Sequence, residues 1–348
     1  MGTFLDDLKT DVQQNCHISD ARYAADYTIC IYLMKMREFF RWENGLGYQD
    51  HLPKDEVGNW LRERESLWES VEANDFLPIK TRQQSFEPFD VDNINQGLNA
   101  DGYIYGAGLG IGASPHFFLA EMEQRHQIGD TTILVAGREL ARDLSSPPAM
   151  SQGKTIYIRR ESLRRTMWER LENWNWNRPQ NAMARALTHF DIEGDLEGAL
   201  DHMTAVETDT VLHHEFGEVQ AGEMLGEEWH DLLISLPRSR VEFMARAVRD
   251  LLADSLSTLP HLLEKQDEAS LHLYIANLNG MRKELAPGLK QAYDHWIESG
   301  DLEQMERFAQ MGRDHWLETA QRLVELHKQE GISGMKAMQQ MLEQSAAH

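Results

Sequence analysis

Apolar positions at the start of the chain recur at helical spacing. Phe4, Leu8, Val12 and Cys16 form one stripe behind a capping Thr3, and Tyr23, Tyr27, Cys30, Met34 and Phe40 form a second behind Ser19, closed by Gly45 and Gly47. Pro53 opens a third pattern with Val57, Trp60, Leu61, Leu67 and Trp68, which Asn74, Asp75 and Pro78 interrupt. The pattern then changes to short β-prone runs separated by Gly and Pro: Tyr103-Ile104-Tyr105, Thr131 to Val135 and Thr155 to Ile158 predict strands, with a helix over His116–Arg125 between the first two. From Glu161 onward helical periodicity returns and persists. The fold class that follows is mainly α: an N-terminal helical unit over 1–79, a small mixed α/β unit with a Gly-rich loop over 80–160, and a larger α-helical C-terminal domain over 161–348.

One helix of the C-terminal part carries a concentration of metal-ligating residue types. Glu207, His214 and Glu218, at i, i+7 and i+11, fall within about 40° of one another on a helix turning about 100° per residue. Val211, Ala221, Leu225 and Trp229 lie beside them, and Leu212, Phe216 and Val219 add a second apolar arc, so the helix is expected to be central in its domain. A carboxylate placed there needs a partner or a cation. Three readings stand: a divalent metal site, a buried His–Glu hydrogen-bond pair without an ion, or a solvated charged face. Small residues at Gly217, Ala221 and Gly222 leave room for another helix or a ligand.

His214 and Glu218 lead the candidate ligands, with Glu207, Asp250, Asp254 and His261 as further ones. Asp250 and Asp254, at i, i+4 after Pro237, repel one another unless a cation lies near them, and Arg246, one turn before Asp250, can supply that charge. Imidazole plus carboxylate suits iron, manganese or zinc. The His214 and Glu218 pair has H-x-x-x-E spacing, unlike the paired E-x-x-H motifs of dinuclear helical bundles, and no second matching half.

Other patterns carry weaker signals. Gly108 to Ala113 fits a loose G-x-G-x-x-A dinucleotide pattern, but the one candidate for the acidic residue at the end of the second strand, Glu139, is offset past Gly137-Arg138. Arg159, Arg160, Arg164, Arg165 and Arg170 form a basic island, expected to pair with Asp and Glu of neighbouring helices or to anchor an anion beneath the Gly106–Gly112 loop. His272 is expected on an exposed side, and Met335, Met338 and Met341 on one face of a short terminal helix suit a core gap or a partner groove.

Composition narrows the classes. With 41% hydrophobic and 26% charged residues the chain is of globular make-up. A formal charge of −23 argues against nucleic acid and anionic membrane as partners. No apolar run approaches the roughly 18 residues that span a bilayer, and Met1 to Val12 is acidic and amphipathic, so a cytoplasmic location is expected. Cys16 and Cys30 are too few for a disulfide scaffold and are expected as buried thiols.

The chain resembles an uncharacterised bacterial family through Asn15-Cys16-His17-Ile18-Ser19-Asp20, Pro115-His116-Phe117-Phe118-Leu119-Ala120, Glu139 to Leu144, Arg159 to Leu163 and His213 to Glu218. The resemblance implies no activity, cofactor or catalytic residue. The function expected from the residues is a divalent metal site in a helical domain, supporting oxidative or hydrolytic chemistry if the protein is an enzyme. The alternative is a non-catalytic interaction or assembly factor with a protein partner or a second copy, since nine tryptophans and sixteen methionines supply material for partner grooves.

Overall fold

The computed structural model describes residues 4–110, 113–278 and 280–346. The chain forms two compact units, Met1–Pro148 with Tyr157–Trp168, and Ala149–Ile156 with Glu169–His348. The architecture is mainly α, with N-terminal helices, a sheet in the middle of the chain and a larger helical C-terminal part.

In the first unit, α1 (Phe4–Tyr23), α2 (Ile29–Glu43) and α3 (Lys54–Val71) precede a short hairpin of β1 (Ile79–Lys80) and β2 (Ser85–Phe86), and α4 (Val91–Leu98) leads into the sheet. β3 (Tyr103–Leu109), β4 (Pro115–Ile128) and β5 (Thr131–Arg142) form an antiparallel meander, with Ile104 opposite Ala120 and Ile128 opposite Thr131. The chain continues through β6 (Ala149–Gln152) and β7 (Thr155–Arg159), which lies beside β5, into α5 (Arg160–Asn175). The helices expected over 1–79 and the strands expected at Tyr103-Ile104-Tyr105 and Thr131 to Val135 fall in one compact unit, while Ala149–Ile156, with β6 and the start of β7, falls in the other.

Leu8, Val12 and Cys16 are buried on α1, where the helix lies on β4 and β5. The Cys16 thiol points to the Phe117 carbonyl at 3.3 Å. Ser19 does not cap a second helix: α1 runs through it, and its hydroxyl donates to the carbonyl of Pro115. Thr3, the other expected cap, lies outside the described residues.

His116–Arg125 is strand, not helix. Phe117, Phe118, Leu119 and Ala120 are all fully buried, and successive strand residues face opposite sides, so both faces of β4 are covered here. Such a run has no period to separate it from a helix. The antiparallel return also removes the βαβ context of a dinucleotide site: Gly106 and Gly108 lie on β3, and a Cβ at Gly106 would sit 2.1 Å from the Phe118 ring. Ile111 and Gly112 of that loop lie outside the described residues.

Cys16 is buried, but Cys30 is exposed, contrary to expectation. The first turns of α2 present Ile29, Ile31, Leu33 and Met34 at 68%, 45%, 47% and 44% exposure, and burial begins only at Met36.

In the second unit, α6 (Ala182–Leu187) precedes the long α7 (Leu196–Ser235), which non-helical Gly226 interrupts near its end. α8 (Arg240–Ala253) passes into a π-helical turn, Asp254–Thr258, and then α9 (Leu259–Lys265), α10 (Glu268–Asn277), α11 (Gly280–Leu285), α12 (Pro287–Ser299), α13 (Glu303–Glu330) and α14 (Met335–Ser345). The core draws Met244, Val248, Leu251 and Leu252 from α8 together with Leu271, Leu289, Trp316, Leu323 and Leu342. Met338 is buried in it, with Met335 and Met341 packed alongside, which bears out the core-gap reading of the methionine face. His272 is buried, not exposed: its Nδ1 lies 2.9 Å from the Tyr293 hydroxyl and its ring tilts against Trp296. Burial, then the neighbouring His189 and Arg185 charges, bring its pKa down to about 4.

Candidate metal centre

The site is built where α7 meets the end of α8. A Cβ at Gly217 would stand 2.2 Å from the Ala253 carbonyl oxygen, so only glycine admits this closeness of approach. Gly222, also expected to leave such room, has nothing within 4 Å of its would-be Cβ. Immediately after Ala253 the helix widens into the π turn, a distortion that recurs at functional sites. That turn directs Asp254, fully buried, at His214.

Asp254 accepts from His214 Nδ1 at 2.8 Å through one oxygen, and from the Tyr274 hydroxyl at 3.0 Å and Arg282 Nη1 at 3.2 Å through the other. Burial alone would raise its pKa; His214 and Arg282 outweigh burial and hold it below the usual carboxylate range. With Nδ1 fixed in this way, His214 turns Nε2 toward Glu218, 3.7 Å from Oε1. Burial opposes the charged ring, but Asp254 and Glu218 raise the His214 pKa well above its ordinary value.

Glu218 Oε1 accepts from Arg249 Nη2 at 2.6 Å, and Oε2 accepts from the Ser151 hydroxyl at 3.2 Å. Against the burial penalty, Arg249 and His214 depress its pKa strongly. Among the described residues, Asp250 has one ion-pair contact, 3.5 Å to Arg249, and burial raises its pKa. His214, Glu218 and Asp250 can each direct one donor atom into a common space, all within 4.8 Å of one another. Their side chains keep 20%, 13% and 26% exposure, so the cluster is mostly buried yet reachable from solvent.

Acidic groups exceed what the local cations satisfy. Glu215 is buried with Oε2 unpartnered, and burial followed by the Glu218 charge pushes its pKa up to about 8. Glu207 accepts from Asn277 at 2.9 Å, but its Oε2 is unpartnered and burial raises its pKa to about 7.

Of the residues singled out from sequence, the structure gathers His214, Glu218 and Asp250 as a donor set, with Asp254 behind His214. Glu207 is tied to Asn277 instead, and His261 is 2.7 Å from Asp209, in a different cluster. Arg246 serves Glu242, which is 1% exposed and has the greater need of a cation; Arg249 takes the place expected for it beside Asp250. Arg249, directly before Asp250, was within reach of sequence reasoning. Ser151, Tyr274 and Arg282 were not, because they come from distant segments with no local signature.

The basic island divides. Arg159 is buried against Glu139 and Ser146, Arg165 bonds the carbonyls of Ser145 and Ser146, and Arg160 reaches Glu123 on β4. Their partners therefore sit on strands and loops, where helices had been expected to supply them.

Fold and cluster together define a mainly α protein whose C-terminal helical part holds a His/carboxylate group open to solvent. The chain belongs to the family of unknown function DUF6866, its N-terminal domain matching residues 7–159 and its C-terminal domain residues 164–345. No curated protein and no solved structure matches it. Among the described residues, no helix is long and apolar enough to cross a membrane.

Proposed function

We propose that the second unit binds a divalent cation, iron, manganese or zinc, through His214, Glu218 and Asp250, and that the protein uses it for oxidative or hydrolytic chemistry. One observation carries the reading: a buried carboxylate, Asp254, grips His214 Nδ1 and leaves Nε2 facing Glu218, with a donor atom of Asp250 in the same group. Metal-bound imidazoles are oriented by an outer carboxylate in this way, which fixes the tautomer and makes the ring a better donor. Three protein ligands leave positions for water or substrate, where the cation lowers the pKa of a bound water or polarises a bond. Arg249 can retain one oxygen of Glu218 while the other turns to the ion. The ion would supply the charge for which Glu215 and Asp250 have no full partner.

The test uses chelator-stripped full-length protein exposed to Mn2+, anaerobic Fe2+ or Zn2+, with elemental analysis and thermal unfolding. Saturation at 100 times Kd should stabilise the fold by about 2.7 kcal/mol. With Mn2+ or Fe2+, Asp250→Asn and His214→Ala should abolish that gain. Less than about a tenth of an equivalent bound by wild type, or no loss in either variant, overturns the reading.

The free thiols Cys16 and Cys30 suit a reducing, cytoplasmic setting, and the charge of −23 disfavours nucleic acid. The second reading, an assembly factor, draws on the apolar exposed start of α2, with a second copy as its occupant. Light scattering that reports a dimer in wild type and a monomer in Leu33→Glu would favour it; a wild-type monomer would remove it.

A further inference from the structure

His261 fails to join the His214 cluster because it belongs to another one. Asp209 and His213, at i, i+4, share a face of α7, and His261 reaches them from α9. His261 Nε2 lies 2.7 Å from Asp209 Oδ2, and the His213 and His261 rings stack with centroids 3.6 Å apart and planes 11° from parallel. One donor atom from each of Asp209, His213 and His261 falls within 4.8 Å of the others. Ser257, on the same π turn that supplies Asp254 to His214, lies 3.2 Å from His213 Nδ1 and leaves Nε2 unassigned.

We infer that Asp209, His213 and His261 form a second metal site, outside the His214 centre, selective for zinc-like late transition ions. The donor chemistry differs between the two. This set has two imidazoles to one carboxylate, whereas His214, Glu218 and Asp250 invert that ratio. Imidazole-rich sets favour Zn2+ over oxygen-preferring ions such as Mn2+. The His261 and Asp209 side chains are 25% and 35% exposed, so an ion arrives from solvent without opening the core.

Seating an ion requires the rings to turn. A tetrahedral ion with ligand bonds of about 2.0–2.1 Å holds its donors roughly 3.4 Å apart, so the His261–Asp209 contact opens by less than about 1 Å, while the stacked His213 and His261 rings rotate out of their parallel arrangement to bring both in-plane lone pairs onto one point. Lys265 Nζ, 3.0 Å from the same Asp209 oxygen, is the group the ion displaces. Its side chain is 42% exposed and can turn into solvent. Lys265 therefore competes with the metal, which a residue in a purely structural pair would not do.

Zinc is titrated into chelator-stripped full-length protein against a chromophoric chelator, in wild type and in an Asp250→Asn background that isolates this site. One equivalent should remain in Asp250→Asn, and adding His261→Ala or Asp209→Asn should weaken it at least about tenfold. Lys265→Met, outside the ligand set, should tighten zinc several-fold, and Co2+ should give the visible bands of a tetrahedral centre that His261→Ala abolishes. Circular dichroism confirms folding of each variant; if His261→Ala unfolds, Lys265→Met decides. No zinc in Asp250→Asn, unchanged affinity in His261→Ala, or unchanged affinity in Lys265→Met overturns the inference. Zinc binding that is identical in wild type and Asp250→Asn and lost with His261 upholds this site and removes zinc from the His214 centre, whose own failure is read from Mn2+ and Fe2+.

Discussion

Each unit contains a buried network of charged side chains, and the two are organised differently. In the first, Glu139 Oε1 accepts from Arg159 at 2.8 Å and Ser162 at 2.7 Å, while Oε2 lies 3.6 Å from Arg142. Asp143 accepts from the backbone of Phe117 and Ser146 and contacts His116. Exposure is 0–2% for Glu139, Arg142 and Arg159, and their pairing outweighs burial to hold the Glu139 pKa down. In the second unit, Glu207 and Glu215 keep unpartnered oxygens and Asp250 has one loose contact. Burial desolvates both networks and each leaves carboxylate oxygens without a hydrogen bond, Glu139 Oε2 among them, but Arg142 and Arg159 flank Glu139 whereas Asp250 has a single 3.5 Å contact to Arg249. A network closed by two buried arginines on one carboxylate fixes a fold; one with fewer cations at its acids has reason to take a metal ion.

The largest expected effect tests the closed side. Arg159→Ala leaves Glu139 buried without its main partner and should cost about 3–5 kcal/mol, read as a shift of the urea midpoint. Asp250→Asn removes a carboxylate that lies near Glu218 and has no close partner, so stability of the stripped protein should stay within about 1 kcal/mol of wild type. Should Asp250→Asn cost as much as Arg159→Ala, the second network would be as structural as the first.

Sequence periodicity carried the helical elements because amphipathic stripes repeat: Leu8, Val12 and Cys16 predict the face that α1 buries. It failed at β4, where Phe117 to Ala120 are buried on both faces and period 2 disappears. His272 was misplaced for a related reason, since Tyr293 and Trp296 from α12 cover it and the sequence of α10 carries no sign of them. His214 with Glu218 was visible as an i, i+4 pair, and their approach to Asp250 and Asp254 followed from the carboxylates' own spacing. Assigning His261 required tertiary structure, because α9 could present it to either side of α7.

Acid should act on both units, through histidines held neutral. His17 is buried, and burial followed by the Arg64 charge lowers its pKa to about 3; His272, as described, falls to about 4. Between those values and the ordinary pKa of 6.5 the unfolded chain binds more protons than the folded one. Stability is therefore fully present above pH 6.5 and falls with decreasing pH. At pH 5 each histidine should account for a loss on the order of 2 kcal/mol relative to pH 7. His17→Gln, which retains an acceptor for Arg64, should flatten the profile between pH 7 and 5 by about that amount. An unchanged profile would mean that His17 is protonated in the folded protein.

The smallest effect isolates burial as the cause of the contrast. Arg160 follows Arg159 directly and also holds a carboxylate, Glu123, at 2.7 Å. Both partners are about two-fifths exposed, 37% and 41%, whereas Arg159 and Glu139 are at 0%. In water the Arg160 pair gains little Coulomb energy, loses side-chain entropy and is screened by salt, so exposed pairs contribute about 0.2–1 kcal/mol. Arg160→Ala should therefore shift stability by less than about 0.5 kcal/mol, a shift that disappears in roughly 1 M salt. The comparison is between neighbouring arginines with matched contact distances, leaving solvent access as the main variable. A loss from Arg160→Ala approaching that of Arg159→Ala would show that burial does not set the strength of these networks, and the distinction between the closed and open clusters would lose its physical basis.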